Sequence, residues 1–189
     1  GVVVDFVNKW KVSKKGYYLV VGRFVPENNY KTIVQEFMKT STKRDLIVIC
    51  NYEGNNYFNQ LRKQTHFETD KRIKFVGTVY DRSLLNYIRE NAFAYLHGHE
   101  VGGTNPGLLE ALAHTNLNLV FDVEFNRTVA QTSAFYWNKT SGNLSHLIED
   151  ADKQFSFTDR GKRARDIIIE NYTWDKIVRE YEELFLDES

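Results

Sequence analysis

Six short apolar runs, bounded by glycine, asparagine, aspartate or charged residues, constrain the fold of this 189-residue chain more than any other feature. Each run is four or five residues long, which is the length of a buried strand rather than of a helix. The runs cover residues 17–21, 46–50, 73–76, 93–96, 117–121 and 134–137. They predict about six strands.

Apolar residues at helical spacing lie between these predicted strands. The stripes are Ile33, Val34, Phe37 and Met38; Leu84, Leu85 and Ile88; Leu108, Leu109 and Leu112; and Leu144, Leu147 and Ile148. Because strand and helix patterns alternate, the sequence predicts an α/β, Rossmann-like, doubly wound parallel sheet with helices on both faces. Residues 160–186 are nearly all helical in pattern, with an interruption at 171–175 that indicates a corner between two helices, and they predict a helical C-terminal tail.

The length and the 42% hydrophobic content are sufficient for one sizeable core. We see no repeat or linker inside residues 17–189, which we predict to be a single domain. The lysine-rich opening, residues 1–16, predicts a connector from a missing N-terminal domain.

Charge and cysteine content exclude several classes of protein. The 25 basic and 25 acidic residues cancel, whereas a nucleic-acid binder needs a surplus of positive charge, so an anion site must be local. The single Cys50 lies inside an apolar run and is predicted to be buried. No apolar run approaches the ~20 residues that span a bilayer, and no segment resembles a signal peptide. We therefore expect a cytoplasmic location.

A glycine-rich turn that leads into a helix is the clearest candidate binding site. Gly102, Gly103 and Thr104 precede Asn105, a good N-cap, and Pro106, which suits the first helical position. Free backbone N–H groups would then face outward at the positive end of a helix, where anions bind. The turn predicts a phosphate site.

Two glutamates flank this turn. Glu110 lies one turn into the helix between Leu109 and Leu112, where an unpartnered carboxylate would be costly, so we predict that it accepts hydrogen bonds from ribose or hexose hydroxyls. Glu100 is a second candidate acceptor. The alternatives are a loop carboxylate at Glu100 and a helix-surface residue at Glu110, stabilised by the helix dipole.

Gly22 and Arg23 directly follow the first predicted strand. Gly22 permits a close backbone approach, and the planar guanidinium of Arg23 suits a bidentate phosphate contact. The alternative is an ordinary turn with a solvated arginine. The second glycine turn farther along the chain favours the functional interpretation.

Further polar and aromatic residues follow predicted strands at the expected ligand edge. His97 is a candidate to donate a hydrogen bond, as a neutral or protonated ring, to a sugar hydroxyl or phosphate. His97, His99 and Glu100 lack the helical spacing of a zinc site, so we predict no metal site. Tyr52 and Tyr80 either stack on a base or belong to the core.

Taken in order, these features resemble the C-terminal, nucleotide-sugar-binding half of GT-B glycosyltransferases of the group often called family 4 or group 1. The likeness covers about residues 17–186. It rests on the glycine-arginine phosphate loop at 20–27, the strand and glycine beside the base at 74–77, the paired-glutamate motif at 100–110 and the C-terminal tail at 172–175. The Gly-Gly-Thr-Asn-Pro form is most similar to bacterial polysaccharide rhamnosyltransferases.

The resemblance implies a hexosyltransferase with a nucleotide-diphosphate sugar donor, either dTDP-rhamnose or a UDP-sugar, and no tightly bound cofactor. The implied donor-binding residues are Gly22, Arg23, Lys31, Val76, Gly77, Gly102, Gly103, Thr104, Asn105, Pro106 and Glu110. Arg23, Glu100 and His97 would act at the reaction centre. A glycan or lipid-linked acceptor would be held by the missing N-terminal domain, at the inner membrane face, so this domain alone is expected to be inactive.

The chain departs from this family at Asn28 and Asn29, where lysine and glycine are usual. The second phosphate cation is then missing unless Lys31 supplies it. Glu100 and Glu110 are also farther apart than the family's two glutamates. The alternatives are a non-catalytic nucleotide-sugar-binding or regulatory module and a nucleotide-sugar epimerase, for which we find no clear acid–base pair.

Overall fold

The computed structural model describes residues 1–101 and 106–153. The predicted phosphate-turn residues Gly102, Gly103, Thr104 and Asn105 lie outside the described residues, and so does the predicted C-terminal tail.

A six-stranded parallel sheet forms the centre of the described part of the chain. The strands are β1 (Tyr17–Val21), β2 (Asp45–Ile49), β3 (Ile73–Phe75), β4 (Ala94–His97), β5 (Asn118–Phe121) and β6 (Phe135–Trp137). Their order is β3-β2-β1-β4-β5-β6, and every neighbouring pair is parallel. The chain therefore winds outward in both directions from β1 and β4, which is a doubly wound topology.

Seven helices flank the sheet within the described ranges. They are α1 (Val2–Trp10), α2 (Tyr30–Met38), α3 (Asn56–Thr65), α4 (Arg82–Asn91), α5 (Pro106–His114), α6 (Glu124–Ala130) and α7 (Asn143–Lys153). Helices α2, α3 and α7 pack on one face and share a core with Tyr18 and Val20 of β1. Helices α1, α4, α5 and α6 cover the other face, where Tyr17 and Leu19 of β1 point.

Burial on both faces explains the apolar runs from which the strands are predicted. In β4 and β5 every residue is buried, because helices cover both sides of a parallel sheet. The six predicted strands are confirmed, with each end within one residue of its predicted place. Four predicted helices correspond to α2, α4, α5 and α7. Helices α3 and α6 were not predicted, because α3 buries only Leu61 and Thr65 and α6 has seven residues.

The predicted connector contains a helix that packs on the domain. Phe6 of α1 is buried, and Val3, Val7 and Trp10 pack against the core that includes Leu19. The opening segment is therefore part of the same folded unit rather than a free linker. Its attachment to another domain stays a prediction.

Candidate functional site

The candidate site lies where the carboxyl ends of β1 and β4 meet. These two strands are adjacent, yet the chain leaves them in opposite directions, toward β2 and toward β5. Such a switch point leaves a crevice in which open α/β sheets bind ligands. Gly22 and Arg23 follow β1 there, and Gly98, His99 and Glu100 follow β4.

Aromatic packing holds the loop after β1. Phe24 is buried, and its ring centroid lies 4.9 Å from that of Tyr30 and 4.8 Å from that of Tyr57. The Tyr30 hydroxyl donates a hydrogen bond of 3.0 Å to the carbonyl of Gly22. Arg23 is exposed between these two anchored residues. The backbone on both sides of Arg23 is therefore held in place at the edge of the crevice.

Two asparagines join the loops that follow β1 and β4. The Asn28 amide donates to the Arg23 carbonyl at 2.8 Å, and its Oδ1 lies 2.8 Å from His99 Nδ1. Asn29 Nδ2 donates to the Gly98 carbonyl at 2.8 Å and to Glu100 Oε2 at 3.3 Å. At the positions where the resembled family has lysine and glycine, this chain therefore has two amides that cross-link the crevice walls.

Asn29 also explains how the chain turns without a glycine. Its backbone is left-handed, with φ of 60° and ψ of 34°, and it precedes the first residue of α2. Asparagine is among the few residues that tolerate this conformation. The side chain that replaces glycine is thus compatible with the turn and adds two hydrogen bonds.

His97 lies beneath the crevice floor and is 2% exposed. The Tyr95 hydroxyl lies 3.1 Å from the Val21 carbonyl and 3.1 Å from His97 Nδ1, and its single proton allows both contacts to be hydrogen bonds only if Nδ1 is the donor of the second. Burial, and then the neighbouring His99, lower the pKa of His97 to about 3. Near neutral pH the ring is uncharged.

The tautomer changes the role that His97 can have. With the proton on Nδ1, Nε2 is an acceptor, so the ring would accept a hydrogen bond from a hydroxyl rather than donate one to a phosphate. The protonated form considered from the sequence is disfavoured by burial. Contact of His97 with a ligand stays a prediction.

Glu100 lies at the crevice mouth in an ion pair with a residue far along the chain. Its Oε2 lies 2.7 Å from Nζ of Lys139, which belongs to the loop after β6. The side chains are 31% and 48% exposed, respectively. The sequence holds no local signal of this pair, because the two residues meet only when β6 takes its place at the sheet edge.

Glu110 lies on α5 and faces α4. Its carboxylate is 3.8 Å from Arg82, 4.0 Å from Arg89 and 3.6 Å from His114. Its side chain is 24% exposed. Two arginines and a histidine therefore lie beside the Glu110 carboxylate, whose oxygens can accept hydrogen bonds from hydroxyls. Arg82 begins α4, the helix that follows the loop with Val76 and Gly77.

The loop after β3 lies farther along the same edge of the sheet. Gly77 has φ of +79°, a conformation that favours glycine. Tyr80 is 91% exposed, so its stacking on a base stays a prediction. Tyr52 instead packs against Phe58 and Phe75, with ring centroids at 4.6 and 5.7 Å, and the core interpretation of Tyr52 is the better one.

The remaining candidate residues are placed as follows. Lys31 is exposed in the first turn of α2, and Pro106 begins α5. Cys50 is buried and free, and burial raises the pKa of its thiol to about 12. Among residues 1–101 and 106–153, no three histidine, cysteine or acidic side chains converge as metal ligands. In the same ranges no helix is both long and apolar enough to cross a bilayer.

No protein-family model matches the chain, and no curated protein sequence matches it. Several solved structures do match its fold. A glycosyltransferase from Rickettsia africae superimposes with a TM-score of 0.76 and 14% identity, over 98% of this chain and 51% of that one. The Anabaena protein HepE, in complex with UDP and glucose, gives a TM-score of 0.77 and 13% identity, over 98% and 52%. The C-terminal domain of the glycosyl transferase group 1 family protein LpcC from Francisella tularensis gives 0.71 and 12%, over 88% and 90%.

The chain has the fold of these glycosyltransferases. It spans about half the length of the Rickettsia and Anabaena proteins and matches nearly all of the single LpcC domain. The predicted fold class, a Rossmann-like half of a GT-B structure, is therefore confirmed. At 12–14% identity the likeness concerns the fold, and the roles of individual residues stay predictions.

Proposed function

We propose that this chain is the donor-binding domain of a glycosyltransferase and that it binds a nucleotide-diphosphate sugar in the crevice between β1 and β4. The observation that carries the proposal is the position of Arg23 on an anchored loop at the switch point of the sheet. The fold of glycosyltransferases bound to UDP supports the same ligand class.

The diphosphate would lie against Arg23 and the backbone of Gly22. Helices α2 and α5 both begin at this edge, because they follow β1 and β4, and their positive ends favour an anion. A guanidinium and two helix ends compensate charge without a metal ion. The predicted glycine turn from Gly102 to Asn105 would add backbone donors.

The nucleoside would extend toward the loop after β3. Glu110 lies 3.8 Å from Arg82, the first residue of the helix after that loop, and its carboxylate would accept hydrogen bonds from ribose hydroxyls. Val76 and Gly77 would lie beside the base. Parallel neighbouring strands are about 4.8 Å apart, so the loop after β3 lies two strand spacings, about 10 Å, from the loop after β1 along this edge.

The transfer reaction would depend on stabilising the leaving diphosphate. As the bond between the sugar carbon and the diphosphate oxygen breaks, negative charge grows on that oxygen, and preorganised donors such as Arg23 lower the barrier most at that point. Glu100 and His97 would accept hydrogen bonds from the donor sugar. The acceptor, a glycan or a lipid-linked sugar, would be bound by another domain at the inner membrane face, and this domain alone would transfer no sugar.

The donor would be dTDP-rhamnose or a UDP-sugar, and the product a polysaccharide. This finer assignment rests on the Gly-Gly-Thr-Asn-Pro motif at residues 102–106. One observation favours a second candidate, a non-catalytic nucleotide-sugar-binding module: Asn28 cross-links the loops at a position where the family has a phosphate-binding lysine.

Calorimetric titration of the chain with UDP, GDP and dTDP, and with the three nucleosides, tests the proposal. We expect one diphosphate to bind best and its nucleoside to bind far more weakly. Transfer by the full-length protein with the corresponding sugar donor would then separate the enzyme from the non-catalytic module. Failure of all three diphosphates to bind would refute the proposed site.

A further inference from the structure

Glu100 presents a problem for the proposed site, because it places a negative charge beside an anion. Its Oε2 lies 3.3 Å from Nδ2 of Asn29, the residue that precedes α2 and holds the Gly98 carbonyl. Glu100 is therefore part of the wall formed by the loops after β1 and β4. A carboxylate there repels a diphosphate unless a cation offsets it.

The neighbouring loop residues supply only part of the positive charge that would be needed. Arg23 lies on the loop after β1, but Asn28 and Asn29 are neutral and use their amides to hold backbone carbonyls. Without a further positive charge near Glu100, the arginine would be opposed by the carboxylate.

Lys139 supplies this charge from a distant part of the chain. Its Nζ lies 2.7 Å from Glu100 Oε2 and 5.6 Å from the ring centroid of Phe121, the last residue of β5. The backbone N–H of Asn138, the preceding residue, donates to Asn143 Oδ1 at 2.8 Å, which fixes the loop after β6. An aromatic face and an anchored backbone thus hold the ammonium at the crevice mouth.

We propose that Lys139 neutralises Glu100 at the mouth of the β1–β4 crevice and thereby allows a nucleoside diphosphate to bind there. The inference rests on the proposed function. It assigns Lys139 as a positioning and charge-balancing residue rather than a residue that contacts phosphate. Removal of Lys139 would leave the repulsion between Glu100 and the diphosphate uncompensated. Removal of the Glu100 charge would abolish that repulsion.

The competing interpretation is an ordinary surface ion pair. Exposed pairs contribute little to stability, and removal of one partner then changes nothing measurable. A direct contact between Lys139 and phosphate is a third possibility. These three interpretations predict different combined effects on diphosphate affinity when Lys139 and Glu100 are both changed, so a double-mutant cycle separates them.

The experiment titrates the chain with whichever of UDP, GDP and dTDP binds the wild type best. The bare diphosphate is used so that no sugar hydroxyl contributes through Glu100. The variants are Lys139→Met, Lys139→Arg, Glu100→Gln and the double variant Glu100→Gln/Lys139→Met. Lys153→Met is the control, because it removes an equal charge from an exposed ion pair that lines a groove with Gly16 and Asp45, at the amino edge of the sheet.

At low salt we expect Lys139→Met to bind about tenfold more weakly, the scale of one unbalanced charge in partly solvated protein. Lys139→Arg and Lys153→Met should bind like the wild type, and Glu100→Gln should bind equally well or more tightly. The double variant should match Glu100→Gln within about twofold, because Lys139 has no charge left to balance once Glu100 is neutral. The loss in Lys139→Met should shrink as salt shortens the Debye length from about 30 Å at 0.01 M to about 3 Å at 1 M.

Equal affinity of Lys139→Met and Lys153→Met would overturn the inference in favour of a surface ion pair. A double variant as weak as Lys139→Met would overturn it in favour of direct phosphate contact. The Glu100→Gln variant can be measured even if Lys139→Met does not fold. Weaker diphosphate binding by Glu100→Gln than by the wild type would also overturn the inference. If the wild type binds no diphosphate, the proposed function fails first, which is a distinct result.

Discussion

The carbonyl oxygen of Asn28 occupies the space into which a side chain at Gly98 would project, so that a Cβ atom at Gly98 would clash with that oxygen. The Asn28 carbonyl carbon would be 3.1 Å away and Ile33 Cδ1 3.0 Å. The loops after β1 and β4 therefore touch backbone to backbone at the switch point. The width of the crevice depends on this contact.

Gly98→Ala should destabilise the domain by about 1–3 kcal/mol, the usual cost of overpacking, because the clashing atoms belong to the backbone and cannot rotate away. Chemical denaturation gives the free energy of unfolding. Gly22→Ala is the matched control, since its Cβ would meet its nearest atoms at an ordinary 3.6 Å. Equal stability of the two variants would contradict the close approach.

Arg23→Ala should weaken binding of a nucleoside diphosphate by about 1.5–3 kcal/mol, the range for a hydrogen bond to a charged group, and should affect the nucleoside little. The side chain is exposed, so the melting temperature should stay unchanged. Calorimetry with both ligands checks this. Equal losses for nucleoside and diphosphate would assign Arg23 a structural role instead.

Glu110→Gln should lower affinity for a ribonucleoside diphosphate by about 1–3 kcal/mol while the fold survives, because glutamine keeps the size and helix propensity but not the charge. The same substitution should lower the affinity for the 2′-deoxy form of that diphosphate by a smaller amount. Glu90→Gln is the control, since Glu90 also pairs with His114, at 3.2 Å, but lies on α4. If wild type and Glu110→Gln bind each ligand equally well, Glu110 is only a partner of Arg82, Arg89 and His114.

His97 should make the domain less stable as the pH falls below about 6.5. Burial, and then His99, keep its folded pKa near 3, whereas an unfolded histidine binds a proton near pH 6.5. Between these values the unfolded state binds more protons, so the free energy of unfolding falls by up to about 1.4 kcal/mol per pH unit as the pH is lowered.

The pH dependence of urea denaturation between about pH 6.5 and 5 measures this slope, in a range where carboxylates stay ionised in both states. His97→Gln should show a shallower slope than the wild type, whatever its stability at neutral pH. His146→Gln, at an exposed position on α7, should keep the wild-type slope. Identical slopes for all three proteins would show that His97 is accessible to protons in the folded state.

Much of the fold could be predicted because its strands are buried on both faces. Continuous apolar runs such as 46–50 are visible without any partner, and the turn chemistry at Gly22 and Gly77 lies directly after them. Helix α3 escaped prediction because it buries so few residues. Helix α1 escaped because it buries only Phe6, and its packing on residues far along the chain is not visible in the local sequence.

The sequence alone determined the strands, the helical stripes and the order of candidate residues along the chain, since each depends on neighbours a few positions away. Only the tertiary structure decided which side chains meet. Asn29 and Gly98 are 69 residues apart, yet they are bonded across the switch point. Lys139 reaches Glu100 only because β6 completes the sheet edge. The burial that keeps His97 neutral likewise requires helices from several parts of the chain, because desolvation is a property of the packed assembly.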